Sequence, residues 1–287
     1  MATFTNQATL SYNGNTTTSN ITTGEILEVL TVTKTAVVNT YSANDRITYV
    51  ISIVNSGATA LNGLTVTDDL GGYELPDGTT RVYPLTYEPN SIQYYISGVR
   101  QAAAPSVTAG PPITFGGISV PAGGNTTLIY EARVNQNAPL AADSSITNRA
   151  AVSGGGLATP VADVEEIFAT NEPLLTISKS LNPTTVTENG QVTYTFVIQN
   201  AGNAPATATD NVIVTDVFNP ALSSISATFN GTTWTEGTHY TYDALTGTFS
   251  ALPGQITVPA ATYTQDTSTG AWTTNPGVSI LTVTGTI

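Results

Sequence analysis

Arg46-Ile-Thr-Tyr-Val-Ile-Ser-Ile-Val-Asn55-Ser-Gly57 alternates two sets of side chains and then halts. Tyr49, Ile51 and Ile53 fall on one side of an extended chain, and Thr48, Val50 and Ser52 fall on the other. A period of two is the signature of a strand with one buried face. Asn-Ser-Gly supplies the turn that ends it. The same text recurs further on as Gln191-Val-Thr-Tyr-Thr-Phe-Val-Ile-Gln-Asn200-Ala-Gly202. The strand therefore belongs to a unit that occurs twice.

Other segments repeat in the same order. Lys34-Thr35 matches Lys179-Ser180, and Gly63-Leu-Thr-Val-Thr-Asp68 matches Asn211-Val-Ile-Val-Thr-Asp216. Ile118-Ser-Val-Pro-Ala122 matches Ile256-Thr-Val-Pro-Ala260, and Leu128–Val134 matches Leu281–Ile287. The displacement is 145 residues at the lysine and 153 at the last match, so loops have been inserted between conserved strands. Several short strands per unit predict an all-β protein of two tandem immunoglobulin-like β-sandwich domains. The expected divisions are 1–12, a donor strand; 13–30, a linker; 31–155, domain 1; 156–172, an interdomain linker; and 173–287, domain 2.

Composition agrees and excludes other classes. The 287 residues include 53 Thr, 25 Gly and 16 Pro, with only 9% charged residues. Such a chain is poor in helix formers and rich in strand and turn formers. A net charge of −13 repels a phosphate backbone, so no nucleic-acid partner is expected. Cysteine is absent and His239 is the single histidine, which removes disulfides, thiol catalysis and polyhistidine metal sites. No apolar run reaches membrane-spanning length. MATFTNQATL has neither a basic region nor an apolar core, so no signal peptide is expected and the export route stays unwritten.

The two units differ at one place. Domain 1 continues to Ile146-Thr-Asn148-Arg-Ala-Ala-Val-Ser153, which reads as a final strand, and domain 2 has no such segment before Ile287. A matching segment, Phe4-Thr-Asn6-Gln-Ala-Thr-Leu-Ser11, stands ahead of domain 1. Asn6 precedes Lys34 by 28 residues and Asn148 precedes Lys179 by 31. Phe4, Asn6, Ala8 and Leu10 thus read as a donor strand that completes domain 2 of an adjacent copy. A sandwich lacking a strand exposes backbone donors and core, which a strand from a second molecule can satisfy. Repeated head to tail between identical subunits, that exchange builds a filament.

The two lysines of the chain, Lys34 and Lys179, sit at the same place in the repeat and on the apolar side of their strands, with Leu30, Val32 and Ala36 or with Leu175, Ile177 and Leu181. A buried ammonium requires a partner. One reading is a buried ion pair with Asp68 and Asp216. The other is chemical: a desolvated amine attacks an Asn carboxamide while a carboxyl group polarises it, leaving a Lys–Asn isopeptide bond. Domain 1 offers Lys34, Asn148 and the helper Asp68. Domain 2 offers Lys179 and the helper Asp216, with Asn6 coming from another chain. Asp69 and Glu131 are rival helpers, although Thr284 stands at the position of Glu131 in the second unit.

The segments VTKT, ITYVISIVNSGATALNGLTVTDDL, VPAGGNTTLIYEARV and ITNRAAV resemble the conserved-repeat surface domain of bacteria, a domain-of-unknown-function family of immunoglobulin-like modules in cell-wall adhesins and stalks. Related collagen-adhesin-type modules carry Lys–Asn isopeptide bonds with an acidic helper. The resemblance implies that role for Lys34, Asp68 and Asn148. The family is usually seen behind a signal peptide and before a wall anchor, and neither is expected from this sequence.

Asp68-Asp69 and Asp163-Val-Glu165-Glu166 read as solvated charge rather than a calcium site, and no metal site or cofactor is expected. Trp234, Trp272 and the tyrosines read as cross-strand packing. The expectation is a structural subunit of an extracellular bacterial filament, a pilus-like fibre or spore appendage, at the cell or spore surface. It is not an enzyme beyond single-turnover self-modification. The alternative is a monomeric surface adhesin or ligand-binding module of unknown ligand.

Overall fold

A computed structural model of the chain describes residues 2–26 and 29–287, and these are almost entirely strands and turns. Strand Arg46–Asn55 alternates as its sequence dictates: Ile47, Tyr49, Ile51 and Ile53 are buried, and their neighbours are half-exposed. The turn after it is pinned from inside. Asn55 Oδ1 accepts the Gly57 N–H at 3.0 Å, and its Nδ2 donates to the carbonyls of Thr59 at 2.8 Å and Pro121 at 3.1 Å. Asn200 repeats these bonds with Gly202, Ala204 and Pro259. A buried carboxamide that meets its hydrogen-bonding needs ties one loop to another, which explains why asparagine ends both strands.

Domain 1 is a sandwich of two six-stranded sheets. One runs Val99–Arg100, Gln93–Ile96, Asn125–Val134, Arg46–Asn55, Leu30–Ala36, with Leu85–Tyr87 also on Asn125–Val134. The other runs Ser106–Thr108, Ile113–Val120, Leu61–Asp68, Ser145–Gly154, Val161–Ala169, Thr40–Tyr41. Their inner faces form one core around Tyr49, Phe115 and Tyr130.

The chain between 156 and 172, expected as an interdomain linker, is largely strand. Val161–Ala169 pairs antiparallel with Ser145–Gly154 and parallel with Thr40–Tyr41. Domain 1 thus closes on a hairpin rather than on one strand, and it extends to Ala169. The reason lies in the carboxylates that read as solvated charge. Asp163 Oδ2 accepts the N–H of Lys34 at 2.8 Å, and Glu165 Oε1 accepts that of Ala36 at 3.0 Å. Acidic side chains thereby occupy the outward N–H groups of strand Leu30–Ala36 where a backbone partner is missing.

Domain 2 repeats the first sheet as Leu175–Asn182, Gln191–Asn200, Gly277–Thr286, Ser223–Phe229, Thr232–Trp234. Its second sheet is smaller: Thr215–Val217, Thr248–Ala251, Tyr240–Asp243. Thr215–Val217, the counterpart of Leu61–Asp68, lies at an edge. Among the described residues no strand occupies the side that Ser145–Gly154 fills in domain 1. The uncovered face is visible along the first strand: Val32 is 6% exposed, whereas its counterpart Ile177 is 54% exposed.

The leading residues also form a hairpin. Ala2–Asn6 pairs with Thr22–Ile26, and Thr9–Tyr12 pairs with Asn15–Thr18. Asn13 and Gly14 turn the chain with φ of 46° and 80°, the left-handed pair that a tight hairpin needs. The division into a donor strand 1–12 and a linker 13–30 is therefore corrected: residues up to 26 are the return arm of the hairpin. Met1 of the expected donor strand and residues 27 and 28 of the expected linker lie outside the described residues. Phe4, Leu10, Tyr12 and Ile21 on this hairpin are all more than half exposed.

Asp163→Ala should lower the stability of domain 1 by about 1.5 kcal/mol, the scale of a charge-assisted hydrogen bond to backbone. Glu166→Ala, which removes only an exposed contact with Ser145 Oγ, should change it by less than about 0.5 kcal/mol. Urea denaturation of the two variants measures both.

Candidate functional site: two lysine centres

Strand Leu30–Ala36 carries Lys34 into the core opposite Ile51. Its Nζ donates to Asp68 Oδ2 at 2.6 Å, and both side chains are fully buried. The carboxylate accepts two further bonds. Its Oδ1 accepts the Leu70 N–H at 2.9 Å, and the Tyr130 hydroxyl donates to the same Oδ2 as the lysine. Lys34 Nζ lies 4.7 Å from the centroid of the Tyr49 ring, which stacks on Tyr130 at 5.5 Å. Burial drives the Lys34 amine below its ordinary pKa, and the attraction of Asp68 only partly offsets it. Desolvation pushes the hydroxyls of Tyr49 and Tyr130 up.

Asn148 enters this cluster from strand Ser145–Gly154, two residues before Ala150, which pairs with Asp68. It is fully buried. Its carboxamide lies close enough to both tyrosine hydroxyls to temper their rise. Yet neither its Oδ1 nor its Nδ2 meets a hydrogen-bonding geometry, and the Tyr49 hydroxyl is also without a partner. A buried carboxamide left unsatisfied in the cluster that holds a desolvated amine is costly and calls for a cause.

Domain 2 holds the same pair at the same place. Lys179 lies opposite Phe196 as Lys34 lies opposite Ile51, and its Nζ is paired with Asp216. The rings of Tyr194, Phe218 and Phe196 surround the ammonium at 4.5, 5.4 and 5.5 Å. Here, however, the side chains of Lys179 and Asp216 are 40% and 18% exposed, against 0% for both in domain 1. The counterpart of Tyr130 is Val283, opposite Tyr194. No asparagine of domain 2 stands where Asn148 does; Asn6 is exposed on the leading hairpin, opposite Thr22.

The rivals fall away. Asp69 accepts the N–H groups of Gly71 and Arg149 and lies 4.0 Å from Arg81. Glu131 faces outward, 3.5 Å from Arg46. Neither bonds Lys34. His239 stacks on Trp234 and accepts the Thr235 N–H. Among the described residues no three His, Asp or Glu side chains converge as metal ligands would, and no helix is long and apolar enough to cross a membrane. Sequence reasoning missed Tyr49 and Tyr130. Tyr49 was signalled by its repetition as Tyr194, whereas Tyr130 has Val283 at its counterpart position and gave no such signal.

No protein-family model matches the chain, and no curated protein matches it. The resemblance to the conserved-repeat surface domain therefore stands on the quoted segments alone. Among solved structures, the major pilin subunit BcpA (D312A) of Bacillus cereus is 10% identical, with a TM-score of 0.37 over 96% of this chain and 73% of that one. The major pilin SpaD of Corynebacterium diphtheriae is 11% identical, with a TM-score of 0.36 over 86% and 59%. A family 123 glycoside hydrolase from Clostridium perfringens is 8% identical, with a TM-score of 0.32 over 50% of this chain and 28% of that one. At these scores the likeness is too slight to bear on function.

The contrast between the centres predicts unequal costs. In an Asn148→Ala background, Asp68→Ala should destabilise domain 1 by about 3–5 kcal/mol by stranding a buried amine. Asp216→Ala should cost domain 2 of the monomeric chain less than about 1 kcal/mol, because water reaches that pair. Chemical denaturation followed separately for each domain distinguishes the two.

Proposed function

We propose that the chain is a structural subunit of an extracellular filament, assembled when the leading hairpin of one copy closes domain 2 of the next. One observation carries this reading. The same lysine–aspartate pair sits at the same sheet position twice, sealed in domain 1 by hairpin Ser145–Ala169 and open in domain 2, while a hairpin of the same register stands unattached at residues 2–26.

The correspondence extends to individual residues. Asn6 lies opposite Thr22 as Asn148 lies opposite Glu165. Insertion in that register carries Asn6 to Lys179, Phe4 to the place of the buried Ile146, and Thr22 toward the N–H of Leu181, where Glu165 caps Ala36. The donated unit is thus a hairpin of two arms, with a return arm that covers Leu175–Asn182. Each copy offers a hairpin at one end and an open face at the other, so the contact is heterologous and propagates.

Each completed centre is suited to one covalent step. The Lys34 ammonium passes a proton to Asp68 across their hydrogen bond. The neutral amine attacks Cγ of Asn148, the protonated carboxyl group steadies the developing charge on Oδ1, one proton of the attacking Nζ passes to Nδ2, and Nδ2 leaves as ammonia. The product is an amide, which removes both the buried charge and the unsatisfied carboxamide. Lys179, Asp216 and the Asn6 of a second copy would do the same across the junction. The site of action is the cell or spore surface, where a filament without disulfides gains resistance to pulling from such bonds.

Purified chain should give a ladder of oligomers that survives boiling in detergent, and each bond should remove about 17 Da, the mass of ammonia. Deleting residues 1–26 should abolish assembly. Asn6→Ala or Lys179→Ala should leave fibres that dissolve on boiling, and Asn148→Ala should restore the full mass of domain 1. Fibres formed without residues 1–26 would sink the proposal.

A further inference from the structure

Between Val258 and Leu281 domain 2 carries an insertion relative to domain 1. Domain 1 passes from Val120 to Asn125 through Pro121-Ala-Gly-Gly124. Domain 2 uses the same interval to build a separate hairpin, Thr262–Gln265 paired with Trp272–Asn275. This hairpin reaches across to domain 1. The Trp272 N–H donates to the Gln136 carbonyl at 2.8 Å. Gln265 Nε2 and Trp272 Nε1 both donate to the Tyr73 hydroxyl, at 2.7 and 3.3 Å, and that hydroxyl donates in turn to the Asn137 carbonyl at 2.7 Å. Gly270 lies so close to Val82 that an added Cβ would come within 2.7 Å of its Cγ1. Beside the hairpin, Asn203 Nδ2 donates to the Leu140 carbonyl at 3.0 Å.

We infer that hairpin Thr262–Asn275 is a clasp that makes each copy a stiff two-domain rod, and that junctions between copies, which lack a clasp, are the compliant points of the assembly. The second half rests on the filament reading. When a leading hairpin closes domain 2 of a neighbour, domain 1 of the donor takes the position that domain 2 holds within a copy. Domain 1 has a four-residue turn in place of the clasp, and Ala58 in place of Asn203. Neither polar tether can then form. The sequence between return arm and sandwich is two residues shorter than within a copy, three residues against five.

Spin labels on exposed positions of domains 1 and 2 of the chain lacking residues 1–26 test the clasp without any filament. The parent should give one narrow distance distribution. Replacing residues 260–276 by Ala-Gly-Gly should broaden it at least twofold, and so should Gly270→Val, which leaves the hairpin sequence otherwise intact should the larger replacement fail to fold. Unchanged widths in Gly270→Val would overturn the clasp. In images of assembled fibres, the spread of interdomain angles should be larger between copies than within them. Equal spreads would overturn the compliance claim, and chains that never assemble would overturn the filament reading while leaving the clasp to the distance measurement.

Discussion

The fold is organised around a charge that has been taken out of water. Lys34 and Asp68 meet at 2.6 Å with no exposed side-chain surface, and such a pair survives burial only if every remaining donor and acceptor is engaged. The surroundings follow from that demand. Tyr130 and the Leu70 N–H complete the carboxylate, the face of Tyr49 attends the ammonium, and hairpin Ser145–Ala169 seals the cluster. Domain 2 keeps the pair but lacks the seal, and its first strand is exposed where that of domain 1 is buried. The asymmetry is one of covering and of the groups around the pair: Tyr130 gives way to Val283, and the place of Asn148 is unfilled within domain 2.

Most of the architecture was legible in the sequence because it rests on period and repetition. Alternation in Arg46–Asn55 and its recurrence in Gln191–Asn200 gave strands, face and tandem arrangement together. The lysines were readable for the same reason: a charged residue on the apolar side of a period-two segment must find a partner nearby, and the repeated Thr-Asp at 67–68 and 215–216 supplied it.

What escaped was pairing between segments of low hydrophobicity. Asn13-Gly14 between Thr-rich stretches is a strong hairpin signal, yet a run rich in Thr and Asn read as linker. Val161–Ala169 was passed over because Asp163, Glu165 and Glu166 looked solvated. Its carboxylates are acceptors for another strand's backbone, a use that alternation of apolar residues cannot reveal. The clasp was hidden likewise, since its anchors, Gln265 and Trp272, bond to a tyrosine almost two hundred residues away in sequence.

The placement of Lys34 and Asn148 along the chain has a mechanical meaning. Lys34 lies in the strand by which the polypeptide enters the sandwich, and Asn148 lies in the first arm of the hairpin by which it leaves. Once those two side chains were joined, tension applied at the ends of the domain would cross directly from one to the other. Everything from residue 35 to residue 147 would hang beside the stressed route as slack, so pulling could not unravel the sandwich by peeling its interior strands.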